Sequence, residues 1–265
     1  MRSPFMGGAF PFPVKYGYAT VGRVEAGANE FIGRTVFALH PHQSLFDVPL
    51  DAALPLPDGV PPSRAVLAAN METAINAVWD ATPEPAGRIA IVGAGVVGAL
   101  VAFALKRLVV GAEVTLVDVN SSRAKLAQAF GVLFAAPETA PRDCDLVVHT
   151  SATAAGLATA LELAAEEATI LELSWYGAGT VPVPLGGAFH SRRLRLLSSQ
   201  VGRVAPSHRK DWTPRARLEL ALKLTAAPEL DALMEPAVAF RDLPARLPHI
   251  LAPLSGVLCQ RIDYL

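Results

Sequence analysis

The stretch "RIAIVGAGVVGALVAFAL", residues 88–105, decides the fold. An apolar, β-branched run leads into Gly93, Gly95 and Gly98, and an apolar segment from Val96 to Leu108 has the composition of a buried helix. A lone G-x-G-x-x-G is weak evidence, but this one follows a predicted strand and opens a predicted helix, where its mechanics require it. The first glycine permits a tight turn, the second lets backbone approach a pyrophosphate, and the third allows close helix–strand packing. Phosphates would then meet the unpaired N–H groups and the positive end of the helix dipole. Residues 89–105 are uncharged, but they hold three glycines and fall short of the roughly 20 residues a membrane span needs. A strand and a helix fit better.

Downstream the same alternation repeats. "EVTLVD" (residues 113–118) reads as a strand ending in Asp118, 20 residues after Gly98. A carboxylate there accepts hydrogen bonds from an adenosine ribose and repels a 2′-phosphate, which favours NAD. Arg123 either offsets that charge, stacks on adenine or is simply an exposed helix charge, so NADP stays open. Helix "SRAKLAQAF" closes at Gly131. Then come strand "DLVVHTS", helix "AGLATALELAAEE", and strands "TILELSWYG" and "LRLLSSQ". Apolar strands alternating with helices predict a parallel sheet covered on both faces. The expected class is α/β, a doubly wound Rossmann sheet.

Upstream, residues 1–57 read as strand and loop, with "TVGRVEA", "GRTVFAL" and "SLFDVPLDAALPLPDG" as strand candidates. Ser63 is a candidate cap for a helix through "RAVLAANMETAINAVWDA", with a break near Asn70. The tail carries helical segments "RLELALKL" and "LPARLPHILAPL" and a last strand, "VLCQRIDYL". The expected division is a partial β domain over 1–82, the dinucleotide-binding domain over 83–212, and a return to the first domain over 213–265.

Apolar residues make up 52% and charged residues 18%, so disorder is excluded as a global state. A net charge of −1 gives no electrostatic case for nucleic acid or an anionic membrane. Two cysteines cannot build a disulfide framework or a Cys-rich zinc site. The first residues lack the charged and apolar regions of a signal peptide. A cytoplasmic protein is expected.

The segments "FPVKYGYATVGRV", "GRTVFAL", "ANMETAINAVWDA", "IAIVGAGVVGALVA" and "VLCQRIDYL" resemble the medium-chain dehydrogenase/reductase superfamily, in its zinc-type alcohol dehydrogenase group. The resemblance runs over nearly the whole chain. It implies a GroES-like catalytic domain, a Rossmann domain and an active site in the cleft between them, with a small alcohol or carbonyl as substrate. A homodimer is compatible with it. Four departures from the family pattern bear on chemistry. The family's catalytic domain begins well upstream of "FPVKYGY", so an N-terminally truncated member is expected, one that binds NAD but turns over weakly and associates through residues 5–50, including Phe10, Phe12 and Val14. The His-Glu pair expected after Gly17 is Tyr18-Ala19, and the region before Thr73 reads Ala69-Asn70-Met71-Glu72. The structural zinc lobe is replaced by "LHPHQSLFDVP", which leaves His40, His42 and Glu72 as the nearby metal donors.

A catalytic zinc needs about three convergent protein ligands, and this donor set does not supply them. The expectation is a zinc-independent NAD(P)-dependent oxidoreductase; the alternative is a catalytically weak or inactive NAD-binding protein. Without metal, hydride transfer still needs stabilisation at oxygen and a route for the proton. Tyr18 stands at the lost His position and either hydrogen-bonds a substrate oxygen or packs in the core. His42 either relays a proton or is merely exposed; Glu72 either faces the cleft or is a helix charge. Tyr176 and Gln200 follow strands that border the nicotinamide side in this fold. His149, Ser151 and Thr153 end the fourth Rossmann strand, where the family's loop passes the nicotinamide ribose; the Ser and Thr either serve that site or simply cap the next helix.

Overall fold

The computed structural model describes residues 4–9, 13–252 and 255–264. Phe10 and Phe12 lie outside them, as do Pro253, Leu254 and Leu265. The chain forms two compact units: Met1–Ala69 with Leu218–Leu265, and Asn70–Arg217.

In the first unit, β1 (Thr20–Arg23) runs antiparallel to β2 (Thr35–Ala38), which pairs with β3 (Leu54–Pro55). Strand β3 is far shorter than its apolar stretch suggests, because Pro49, Pro55 and Pro57 interrupt the ladder donors. Helix α1 (Pro62–Ala65) follows with Pro61 extended at its cap and Pro62 inside the first turn. Ser63 is therefore a helical residue and not the cap. Proline supplies the start through its fixed φ. The break before α2 (Ala68–Ala81) falls at residues 66–67, earlier than Asn70.

The second unit is built on six parallel strands: β4 (Arg88–Val92), β5 (Glu113–Val117), β6 (Leu133–Ala135), β7 (Cys144–His149), β8 (Ala164–Glu172) and β9 (Arg195–Ser198). Their order is β6-β5-β4-β7-β8-β9, with every neighbouring pair parallel. Ile89, Ala90, Ile91 and Val92 are all buried, as expected of a central strand covered on both faces. The helices between are α3 (Val96–Leu108), α4 (Ala124–Phe130), α5 (Ala154–Leu163) and α6 (Ala188–Ser191). Leu157, Ala160 and Leu161 of α5 pack with Val147, Ile170 and Leu194 in one core cluster.

Two differences from the sequence expectation stand out here. The segment "AGLATALELAAEE" stops being helical at Leu163, and residues 164–167 enter β8, with Glu167 at φ +60°. Alanine and glutamate favour helix, but Ala164 and Ala168 are buried in the sheet core, and that burial overrides propensity. Strand β6 was not anticipated; it is three residues long and follows directly on the left-handed Gly131 cap.

Helix α7 (Pro214–Leu224) carries the chain back into the first unit, where β10 (Met234–Ala239), α8 (Leu243–Ile250) and β11 (Cys259–Asp263) follow. Strands β10 and β11 pair in parallel. Strand β10, interrupted by Pro236 and mostly half-buried, also escaped the sequence reading. Among the described residues no helix is long and apolar enough to cross a membrane.

Candidate functional site

The strand order reverses between β4 and β7, so the crevice beyond their carboxyl ends is the switch point at which open α/β sheets bind ligands. Gly93 sits there at φ +107°, and a Cβ on it would come 2.7 Å from Ser151 N and 2.9 Å from Thr150 Oγ1. Thr150 Oγ1 donates to Gly93 O at 2.7 Å, which ties the two strand ends together. A Cβ on Gly98 would collide with the Gly93 carbonyl. Gly95 differs: it caps α3, and a Cβ there would meet nothing within 4 Å. Two glycines thus serve packing, while the third keeps backbone bare at a helix N-terminus that has no side-chain cap. That arrangement fits a pyrophosphate.

Asp118 follows β5 and is tied to the same turn. Its Oδ2 accepts from Ala94 N at 2.6 Å and its Oδ1 from Asn120 N at 2.8 Å. Each oxygen retains a further lone pair for a ribose hydroxyl. Arg123 ends the short turn Ser121–Arg123 just beyond. Gln200 follows β9, with Oε1 accepting from Gly202 N at 2.7 Å.

The ends of β7 and β8 hold a connected polar cluster. His149 and Glu172 are paired in register, and His149 is wholly buried. Its Nδ1 lies 2.7 Å from Glu172 Oε2 and its Nε2 2.7 Å from Ser151 Oγ. Tyr176 Oη donates to Glu172 Oε2 at 3.3 Å, and Ser174 N donates to Oε1 at 2.7 Å. Burial pushes the Glu172 carboxyl up, but the hydrogen bonds from His149 and Ser174 outweigh it and hold it below its usual value. Burial and the neighbouring Glu172 push the Tyr176 phenol up, so it stays protonated. Ser151 and Tyr176 thus stand together, whereas Glu172 and Ser174 were missed. The signal was present: Glu172 stands among the apolar residues Ile170, Leu171 and Leu173, with Ser174 and Tyr176 at every second position beyond it.

Glu72 is buried in an ion pair, with Arg217 Nη2 at 3.0 Å and Nε donating at 3.1 Å. Burial raises its pKa and the guanidinium partly reverses that. Arg217 also donates to Asn76 Oδ1 and, at 2.5 Å, to Val201 O, while Ser199 Oγ donates to Asp80 Oδ2 at 2.7 Å. This network pins the loop carrying Gln200 to α2.

Tyr18 and His42 belong to the first unit and line one cavity of about 540 Å³, together with Cys259 and Tyr264. Gly17, at φ +96°, is required beside His42: a Cβ would come 2.6 Å from its ring. His42 Nδ1 is hydrogen-bonded to Tyr264 Oη at 2.8 Å, and burial lowers its pKa, so the ring is neutral. His40 is buried, stacked on Phe46 with ring centroids 3.7 Å apart, and its Nδ1 bonds Pro41 O. Among the described residues no three His, Cys, Asp or Glu side chains gather as metal ligands, and this donor set does not fit a catalytic zinc.

No family model and no curated protein matches the sequence. Solved structures do match by shape. Galactitol-1-phosphate dehydrogenase from Escherichia coli is 17% identical with a TM-score of 0.76, over 96% of this chain and 85% of that one. 2R,3R-butanediol dehydrogenase from Bacillus subtilis is 15% identical with a TM-score of 0.70, over 94% and 80%. A short chain alcohol dehydrogenase from Escherichia coli CFT073, complexed with cofactor NADH, is 15% identical with a TM-score of 0.69, over 90% and 80%. The chain shares the fold of these dehydrogenases.

Proposed function

We propose that this chain is a medium-chain type oxidoreductase that binds NAD and interconverts a small alcohol and its carbonyl without zinc. One observation carries the reading: Gly95 leaves bare backbone at the start of α3, with the Asp118 carboxylate fastened beside it by Ala94 N at 2.6 Å. A bound nicotinamide supplies the hydride chemistry. The chain's own residues then have three tasks. Gly93–Gly98 and the first turn of α3 hold the diphosphate, Asp118 selects a ribose bearing free hydroxyls, and Arg123 borders the adenine. Ser151, Tyr176 and Gln200, which follow β7, β8 and β9, stand on the opposite side of the switch point and face the nicotinamide half. Tyr18 and neutral His42 are the polar groups offered by the first unit's cavity. Glu72, held by Arg217, acts as an anchor and takes no part in proton transfer.

The test is direct. NAD⁺ and NADP⁺ dissociation constants are measured by calorimetry on the full chain. Turnover is then followed as NADH absorbance with idonate, butane-2,3-diol, galactitol 1-phosphate and benzyl alcohol, the substrate classes of structurally similar dehydrogenases. Binding of NAD⁺ with turnover of at least one alcohol supports the proposal. Absence of NAD⁺ binding overturns it, and binding without turnover reduces it to a dinucleotide-binding protein.

A further inference from the structure

His149 has no packing reason to be a histidine. It is fully buried at the end of β7, where an apolar side chain would avoid the desolvation cost of two ring nitrogens. Both nitrogens are instead engaged, one by a carboxylate and the other by a hydroxyl. Glu172 remains an acceptor, so Nδ1 carries the hydrogen and Nε2 accepts from Ser151 Oγ. With its hydrogen given to Nε2, Ser151 Oγ is left to accept from Thr153 Oγ1, 3.0 Å away, the hydroxyl that also caps α5 by accepting from Gly156 N. The row runs from exposed Thr153 through half-buried Ser151 to buried His149 and on to Glu172.

The backbone is built around this row. Ala152 holds φ +53°, and its N–H donates to Ser174 Oγ at 3.1 Å. A non-glycine residue in the left-handed region is strained, and such strain concentrates at functional sites. A Cβ on Gly156 would collide with Ser151 Oγ and come 2.9 Å from His149 Nε2, so α5 presses directly on the pair. Ser151 also stands at the switch point, its N–H against Gly93.

We propose that Ser151, His149 and Glu172 form the proton relay of the alcohol–carbonyl reaction, a role that rests on the dinucleotide-binding reading above. In the oxidative direction the substrate's C–H bond breaks with transfer of hydride to the nicotinamide, and its O–H bond breaks with transfer of the proton to Ser151 Oγ. Ser151 simultaneously gives its own hydrogen to His149 Nε2. The imidazolium formed is balanced by the Glu172 carboxylate, and the proton leaves to solvent by the reverse path through Ser151 and Thr153. Reduction runs the same steps backward. Ser151 is the catalytic residue; His149 and Glu172 act through it and position the proton. The titratable groups facing the ring are Glu172 from β8 and Tyr176 just beyond that strand.

The test uses the full chain. The histidine side-chain nitrogens are labelled, and His149 is identified by the signals lost in His149→Gln. NAD⁺ is then added, with its dissociation constant measured in parallel. The relay predicts that NAD⁺ shifts the His149 Nε2 signal and that Ser151→Ala abolishes this shift. Ser151→Ala should lower kcat about 100- to 1,000-fold with the best alcohol of the panel, the range of general acid–base catalysis. Its NAD⁺ dissociation constant is read beside kcat to separate a lost proton step from lost cofactor, and Ser151→Ala/His149→Gln should be no slower than the slower single variant. NAD⁺ that binds normally but leaves His149 unmoved, or Ser151→Ala turning over like the parent chain, overturns the relay and leaves the dinucleotide reading standing. Failure to bind NAD⁺ at all removes both.

Discussion

Asp118 illustrates how one side chain joins a sequence reading to a geometry. Its place after an apolar strand predicted a ribose contact, and the structure adds that both oxygens already accept backbone N–H bonds. Asp118→Ala therefore removes a ribose acceptor and loosens the turn at Ala94. Each charged hydrogen bond lost costs roughly 1.5–3 kcal/mol, so NAD⁺ affinity should fall by a factor of about 10 to 100, while NADP⁺, freed from repulsion, loses less. Calorimetry with both dinucleotides measures the change; a parent chain that prefers NADP⁺ contradicts the assignment. Glu72 teaches the opposite lesson. Its type and position suggested acid–base work, but the buried Arg217 beside it makes it half of an ion pair. Arg217→Met should destabilise the chain by about 3–5 kcal/mol, because a carboxylate is left buried without its cation. Glu72's folded pKa, already raised by burial, rises further in that variant. Charging Glu72 then opposes folding, so the loss is greatest near neutral pH and shrinks as pH falls through the raised folded pKa towards the ordinary carboxylate value. Urea midpoints at neutral and acidic pH check the sign, and Glu72→Gln added to Arg217→Met should recover part of the loss.

Among the elements, the turn between β4 and α3 sets tight packing and open backbone within six residues of each other. Gly98→Ala drives a methyl group into the Gly93 carbonyl, and such overpacking typically costs 1–3 kcal/mol, read as a lower melting temperature. Gly95→Ala meets open space, with φ at −74° where any residue is at ease. Its melting temperature should stay within about 2 °C of the parent chain, equivalent to roughly 0.5–1 kcal/mol at this size, while NAD⁺ affinity falls at least about tenfold because the methyl stands where a pyrophosphate approaches. Equal affinity in Gly95→Ala and the parent chain would remove the diphosphate from this turn. The same scale shows where pattern reading failed. Helix α5 looks as though it should run through Glu167, since propensity favours helix there, but the core takes Ala164 and Ala168 into β8. Strands β6 and β10 carry too few alternating residues to announce themselves and exist through pairing with β5 and β11.

For the whole molecule, the question is how the candidate metal donors are engaged. His40 is stacked and bonded to Pro41 O, His42 is bonded to Tyr264, and Glu72 is held by Arg217. Purified protein should therefore contain far less than one zinc per chain by elemental analysis, and a strong chelator should leave its melting temperature unchanged; near-equimolar, chelator-resistant zinc would contradict this. The parallel sheet, the glycine turn after its first strand and the place of Asp118 beside that turn were determined by the sequence alone. They depend on local features: glycines at fixed offsets, apolar runs with the period of their element, and a carboxylate one residue past a strand. The pairing of His149 with Glu172, the row of contacts through Ser151 and Thr153, and the anchoring of Glu72 were decided only by tertiary structure. His149 and Glu172 stand 23 positions apart and Glu72 and Arg217 145 apart, and only strand register and helix packing bring such residues within hydrogen-bond reach. A histidine or glutamate has the same chemistry wherever it appears in a sequence. Burial and the partner that burial selects turn one into an anchor and the other into part of a proton path.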